Sequence, residues 1–530
     1  MIRSSLAAVF AATLGASMMP SATAQDTSEQ RLGTVHFETS CNDAAQRRFD
    51  RGMRYQHSFW YSAARDIFED AIKADPECAI AYWGVAQSLL LNPFSIPPAT
   101  NLAQGLAAIQ KAKAIGAKTA RENEFIAALG TFYSDYDKLD HRSRVLAYLK
   151  AMEALAQRYP GDDEAQIYYA LALDVAALPA DKTYANQLRA GAILEDIFKR
   201  QPQHPGVAHY LIHSYDYPPI AEKGLDAATR YSKIAPTAPH AQHMPSHIFT
   251  RVGYWKESIA ANGASVRAAK ADKEYGDQLH GQDYMVYAYL QLGQDKEARA
   301  VIDEMASSTS FSPDSPGANF ALAASPARYM VERGDWSGAA ALGVRPTKFA
   351  HVMAITHFAR ALGGARSGKP DAAKADIAKL AELRDKLRDA RDAYWGEQVD
   401  IQYQIASAWL LYAQGQYDEA LRAMGAAADA EDRTEKAPVT PGPIAPAREL
   451  YGAMLLERGM AKEALAAFEG TLRKEPNRLG TAVGAAKAAD KAGDATRARQ
   501  HYAAAASLAE NGDPVRPDIA AARTFLAKRN

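Results

Sequence analysis

The sequence predicts an all-α chain of stacked helical hairpins, and three observations carry that expectation. Its 530 residues are rich in Ala, Leu, Glu, Lys, Arg and Gln, all good helix formers. Runs of alternating β-branched residues are missing, which argues against a large sheet. Small residues, aromatics and prolines recur with a period near 34 residues, the length of a unit built from one helix pair.

Taken in order, the chain opens with Arg3, a short apolar run from Leu6 to Met19, and Ala22-Thr23-Ala24 as a small-x-small cleavage site. This predicts a signal peptide over residues 1–24, a mature chain from Gln25, and export to the periplasm or the medium. The run is too short for a stable membrane anchor, and no later run reaches transmembrane length. The formal net charge of −1 gives no overall pull toward nucleic acid or anionic lipid. Cys41 and Cys78 are the two cysteines. Export permits a disulfide between them. They precede helix starts one hairpin apart, so a bridge would staple the first hairpin by about 3–4 kcal/mol. Two buried free thiols are the alternative.

After an extension over 25–44, residues 45–78 set the pattern. Gly52, Tyr55, Ala64, Phe68, Ala71 and Pro76 stand at positions 8, 11, 20, 24, 27 and 32 of a unit that starts at Ala45. Small residues at 8, 20 and 27 let two antiparallel helices approach, and Tyr55 and Phe68 fill the space between them. Pro76 stops the second helix. Hairpins with this signature are expected over 45–203, over a histidine-rich stretch at 204–300, over 301–428 and over 447–530. In the last of these, Gly452, Ala464, Phe468 and Pro476 repeat the pattern. Two segments interrupt it: the polar run 308–317 and the charged, then Pro-rich run 429–446. Each reads either as a solvated connection or as a lid over a groove.

These matches resemble the tetratricopeptide repeat family over nearly the whole mature chain. The resemblance implies a tetratricopeptide-type α-solenoid, a right-handed superhelix of about twelve hairpins. It also implies a concave groove that binds a protein or peptide, lined by positions 2, 5, 9, 12 and 13 of each first helix. The segments HSFWY, CAIAYWG and HMPSHIF are similar to a subgroup of exported bacterial repeat proteins.

Seven of the 13 histidines fall between His204 and His280. His209 and His213 are four apart, as are His243 and His247, and 34 residues separate the pairs. Each pair can share one helix face. With first helices starting at 205, 239 and 279, His209, His243 and Asp283 take position 5, and His213 and His247 take position 9. His240 and His280 take position 2, Asp216 position 12 and Arg251 position 13. The groove is therefore expected to carry titratable side chains across three consecutive repeats.

Two readings of this cluster stay open. In the first, the histidines are neutral hydrogen-bonding groups of a groove that takes a protein, peptide or small ligand. In the second, His209, His213, His243 and His247 ligate zinc, copper or nickel, with Asp216, His240, His280 and Asp283 completing or orienting the site. A metal-dependent enzyme is a variant of the second, with Asp216, Asp283 or a metal-bound water as base. HYLIH lacks the Glu of HExxH, and GxSxG, CxxC and phosphate-loop motifs are missing. Pro245, between His243 and His247, predicts either a kinked helix or a helix that starts there. His57 is expected to cap the last carbonyls of the first helix.

Overall fold

The computed structural model describes residues 29–308, 310–313 and 315–528. The expected signal peptide lies outside them. The described residues form helices without strands, paired into the hairpins of an all-α solenoid. The small positions work as their spacing predicts. A Cβ on Gly52 or on Gly84 would sit 2.6 Å from the ring of Phe68. Only hydrogen at those positions lets Asp43–His57 and Ala79–Leu89 close onto Tyr61–Ala74, with Phe68 fully buried between them.

Cys41 and Cys78 form a disulfide at the mouth of this first hairpin. The extension ahead of it is not loose. Thr34 N donates to Gln203 O at 3.0 Å, and Phe37 is buried against Phe49, Trp83 and Phe125.

The central first helices begin at Pro205 and Pro239, where the repeat register predicts. The third begins earlier than 279, at Tyr275. Lys273 takes a left-handed conformation and Glu274 N bonds back to Ala269 O, so the turn out of Trp255–Asp272 is tight and the next helix starts at once. At Pro245 the helix is interrupted only locally. Pro239–His243 and Pro245–Arg251 are joined by Met244, whose φ of −53° and ψ of −36° are helical. The proline removes a hydrogen bond without diverting the chain, and His243 and His247 stay one turn apart.

The C-terminal hairpins return to the middle of the array. Trp255 Nε1 donates to Asn477 O at 2.7 Å, and Asp513 N donates to Gly293 O at 2.8 Å. Buried Arg478 reaches Tyr287 Oη and Glu332, each at 2.7 Å. The two interrupting segments differ. The described part of 308–317 is half-buried or exposed throughout, with no buried residue. The run after Asp432 is not a solvated connection: Thr434, Glu435, Thr440, Ile444 and Ala445 are all buried. Its backbone carbonyls are satisfied by the array. Tyr284 Oη donates to Pro438 O at 3.0 Å, and Arg328 donates to Gly442 O at 2.7 Å and Pro443 O at 2.6 Å. Lys182 and Tyr184 hold Glu435 from the opposite side. This segment therefore lies across the inner face of the solenoid. Among the described residues, no helix is long and apolar enough to cross a membrane.

Candidate functional site

The central first helices bring six histidines together as two groups of three. In each group, one ring nitrogen per residue lies within 4.8 Å of the other two. His209, His213 and His240 make the first group, and His243, His247 and His280 the second. In the first, His209 Nε2 lies 3.2 Å from His213 Nε2 and 3.1 Å from His240 Nε2. In the second, His243 Nε2 and His247 Nε2 are 3.0 Å apart, and the rings of His243 and His280 are 4.4 Å apart. Thus position 2 of the following repeat joins the i, i+4 pair in each case. His209, His213, His243 and His247 are buried, while His240 and His280 are half-buried and form the solvent side.

Hydrogen bonds to the far nitrogens fix the tautomers of three rings. His209 Nδ1 lies 2.7 Å from the carbonyl of His57, which can only accept, so Nδ1 carries the proton. His243 Nδ1 lies 2.6 Å from Asn262 Oδ1. The Asn262 amide is oriented by its own donation to Ser258 O at 2.8 Å. His247 Nδ1 donates to Asp216 Oδ2 at 2.9 Å. In all three rings Nε2 is left as a bare lone pair aimed into the cluster. His280 Nδ1 is buried with no hydrogen-bond partner.

Burial sets the charge state. It lowers the pKa values of His209, His213, His240 and His243 well below the usual imidazole range, and the neighbouring histidines push in the same direction. His280 is pushed down to about 3 by burial and by His247. His247 is also lowered by burial, with Asp216 pulling against it. Burial alone would raise Asp216, but Lys436, Arg251 and His247 outweigh it and hold this carboxyl well below its ordinary value. Arg251 Nε donates to Asp216 Oδ1 at 2.8 Å, and Lys436 Nζ, on the crossing segment, donates to Oδ2 at 3.1 Å.

Aromatic rings wall the cluster. Tyr231 stacks on His209 at 5.1 Å, Phe94 lies 4.5 Å from His213, and Tyr284 meets His243 edge-on at 4.7 Å. Phe59 touches all three rings of the first group, with centroids at 4.3 Å from His209, 5.6 Å from His213 and 5.4 Å from His240. Its φ of +56° is unusual for a bulky residue. The turn between the first two helices thus holds a strained backbone that aims this ring at the histidines.

A third group contrasts with the other two. His57, Glu164 and His204 also cluster, but every ring nitrogen there is satisfied. His57 Nε2 and His204 Nε2 donate to Glu164 at 3.1 and 3.0 Å. His57 Nδ1 accepts from Tyr210 Oη at 3.0 Å, and His204 Nδ1 accepts from Val207 N at 3.3 Å. Burial would raise the pKa of Glu164, but His57 and His204 outweigh it and hold the carboxyl below its usual range. His57 is therefore a buried bridge rather than a cap on its helix's last carbonyls, and its own carbonyl orients His209.

Of the remaining expected residues, Asp216 and Arg251 sit beside the cluster. Asp283 turns away from it: its carboxylate accepts from Ser325 Oγ at 2.8 Å and lies 3.6 Å from Arg328 Nε. The sequence reading missed Phe59, Asn262, Tyr284 and Lys436. The positive φ of Phe59 has no sequence signature, and Lys436 reaches the site only through the tertiary path of its segment.

No protein-family model matches the chain, and no curated protein sequence does. Among solved structures it is similar to human IFIT1 in its dimer with m7Gppp-AAAA, at 12% identity over 91% of this chain and 99% of that one, with a TM-score of 0.34. Yeast Tom70 aligns at 12% identity over 91% and 95% of the two chains, with a TM-score of 0.26. The P58(IPK) TPR domain aligns at 12% identity over 91% and 98%, with a TM-score of 0.21. At these scores the likenesses carry no argument about what this chain does.

Proposed function

We propose that this chain is an exported helical-repeat protein that binds a transition metal in the histidine cluster, beneath the segment that crosses its inner face. One observation carries the reading: the pairing of His243 with His247. Both rings have Nδ1 committed as a donor, to Asn262 and to Asp216, so their Nε2 lone pairs confront each other at 3.0 Å. Two neutral lone pairs at that distance repel, and a cation between them turns the repulsion into ligation. Nitrogens on one tetrahedral ion at about 2.0–2.1 Å stand about 3.3 Å apart, close to the separations found here. An all-imidazole donor set suits zinc, copper or nickel rather than magnesium or calcium.

The backbone carbonyl, amide and carboxylate behind these rings are the partners that ligating histidines commonly have. A groove that takes a partner peptide is less favoured, because the chain's own segment 433–446 occupies the inner face next to the cluster. The signal-like leader and the Cys41–Cys78 disulfide support export to an oxidising compartment. The HMPSHIF segment, similar to that of the exported repeat subgroup, supplies His243 and His247.

The test is the metal content of the mature protein, purified without a metal-binding tag, beside the His209→Ala/His243→Ala double variant. Zinc, copper or nickel near stoichiometry in the wild type, lost in the variant, supports the reading. No metal in either, with melting unchanged by a chelator, overturns it.

A further inference from the structure

Both triads offer three imidazole nitrogens, and they lie side by side. The rings of His213 and His247, one from each triad, are 6.3 Å apart, and those of His240 and His243 are 6.2 Å apart. From these distances we infer that the cluster is a two-metal centre. One ion sits on His209, His213 and His240, a second on His243, His247 and His280, and a small anion bridges them. The inference deepens the metal reading above and rests on it.

The donor count carries it first. Four-coordinate ions of this class take three protein ligands where a position is kept for an exogenous group. Each triad supplies three, and among the described residues neither triad is grouped with a carboxylate. Asp216, the nearest carboxylate, already receives His247, Arg251 and Lys436. It is a positioning residue.

The spacing carries it second. Ring centroids only 6.2–6.3 Å apart across the triads place the two sets of ligands next to each other, as a pair of ions at the separation of about 3.5–4 Å typical of two-metal sites requires. In the proposed pair, a single bridging ligand completes both ions. Access is also in place. His240 and His280, one per triad, are the two half-buried members, so each triad has one ring that reaches toward solvent. The buried Nδ1 of His280 has no hydrogen-bond partner, so no protein group competes for its lone pair or proton.

The two triads are alike in composition but not in support. The first is backed by the His57 carbonyl and covered by Phe59; the second is backed by Asn262 and Asp216 and flanked by Tyr284. The second triad also borders the crossing segment, since Tyr284 Oη lies 3.4 Å from His247 Nε2, 3.0 Å from Pro438 O and 3.2 Å from Thr440 O. Removing one triad should therefore leave the other able to fill.

Copper(II) is the probe, because coupling between two copper ions is visible. The apo full-length mature protein is titrated with copper(II), bound metal is counted after desalting, and electron paramagnetic resonance is recorded with and without azide. The expected result is two ions per chain, with a spin count well below the copper count that changes on adding azide. His280→Ala, and separately His240→Ala, should each bind one ion and show an uncoupled signal at full intensity. Circular dichroism confirms that each variant is folded, and His280→Gln serves as the second variant if His280→Ala is not. One ion in the wild type with a full-intensity signal overturns the pair and leaves the metal reading standing. No tight copper overturns both.

Discussion

His247 Nδ1 stands 2.9 Å from Asp216 Oδ2, and the same oxygen receives Lys436 at 3.1 Å, from a segment 220 residues further along the chain. One buried carboxylate thus links a cluster histidine, the Arg251 of the same helix pair and the segment that crosses the groove. Replacing it tests both roles. Asp216→Asn keeps an acceptor for His247 but strands two buried cations. A loss of about 3–5 kcal/mol of stability is expected, with metal affinity down about 10–100-fold. Denaturant melts and competitive metal titration measure the two effects. An unchanged melting midpoint would show that the buried ion pairs are not formed.

The crossing segment is held by identifiable bonds from several hairpins. Arg328 donates to Thr440 Oγ1, Gly442 O and Pro443 O. Arg328→Lys cannot make that fork. Limited proteolysis should then cut within residues 434–446 at least tenfold faster than in the wild type, because cleavage tracks the population of the open segment. Helical content should stay the same. Equal cleavage rates would mean that other bonds keep the segment in place.

Glu431 sits at the base of this segment, where its Oε2 accepts from Ala447 N at 2.7 Å. Burial raises its carboxyl to about 7 from the ordinary 4.5. The folded value lies above the unfolded one, so the folded state holds a proton that the unfolded state releases. That contribution is complete below about pH 4.5 and is lost as pH rises through about 7. Glu431→Gln removes it. The stability of the variant relative to wild type should rise by about 3 kcal/mol between about pH 4.5 and pH 8, since each unit is worth about 1.4 kcal/mol. A difference that stays flat with pH would rule this out.

The Cys41–Cys78 disulfide closes a loop of sequence separation 37 around the first hairpin. Cys41→Ser/Cys78→Ser should lower stability by about 3–4 kcal/mol. Hydrogen exchange should show the loss concentrated in Asp43–His57 and Tyr61–Ala74. A uniform loss across the solenoid would mean that the bridge acts on the whole chain.

The hairpins were legible because their packing rule is local. A small residue faces an aromatic one at fixed spacing, as Gly52 and Gly84 face Phe68, and again as Gly452 and Gly484 face Phe468. The 34-residue echo of the histidines was legible for the same reason. Their grouping was not. Whether His240 joins the pair behind it or the pair beside it depends on how neighbouring helices stack, and sequence spacing is silent on that. A polar, Pro-rich run reads as solvated, yet the carbonyls of Pro438, Thr440 and Gly442 meet donors from distant hairpins. Asp283 shared the groove register but found Arg328 on the next helix pair. The third group shows the limit of counting ligand types: His57, Glu164 and His204 have ligating atoms in reach of one another, and hydrogen bonds use every ring nitrogen.

The central claim is that imidazole nitrogens of this cluster hold a metal. The most direct measurement is X-ray absorption at the metal edge on untagged protein isolated with its metal bound. The account predicts a first shell of nitrogen or oxygen at about 2.0 Å with an imidazole scattering pattern from three rings per ion, lost in His209→Ala/His243→Ala. A sulfur shell, a shell without imidazole scattering, or an identical spectrum in the double variant would contradict it.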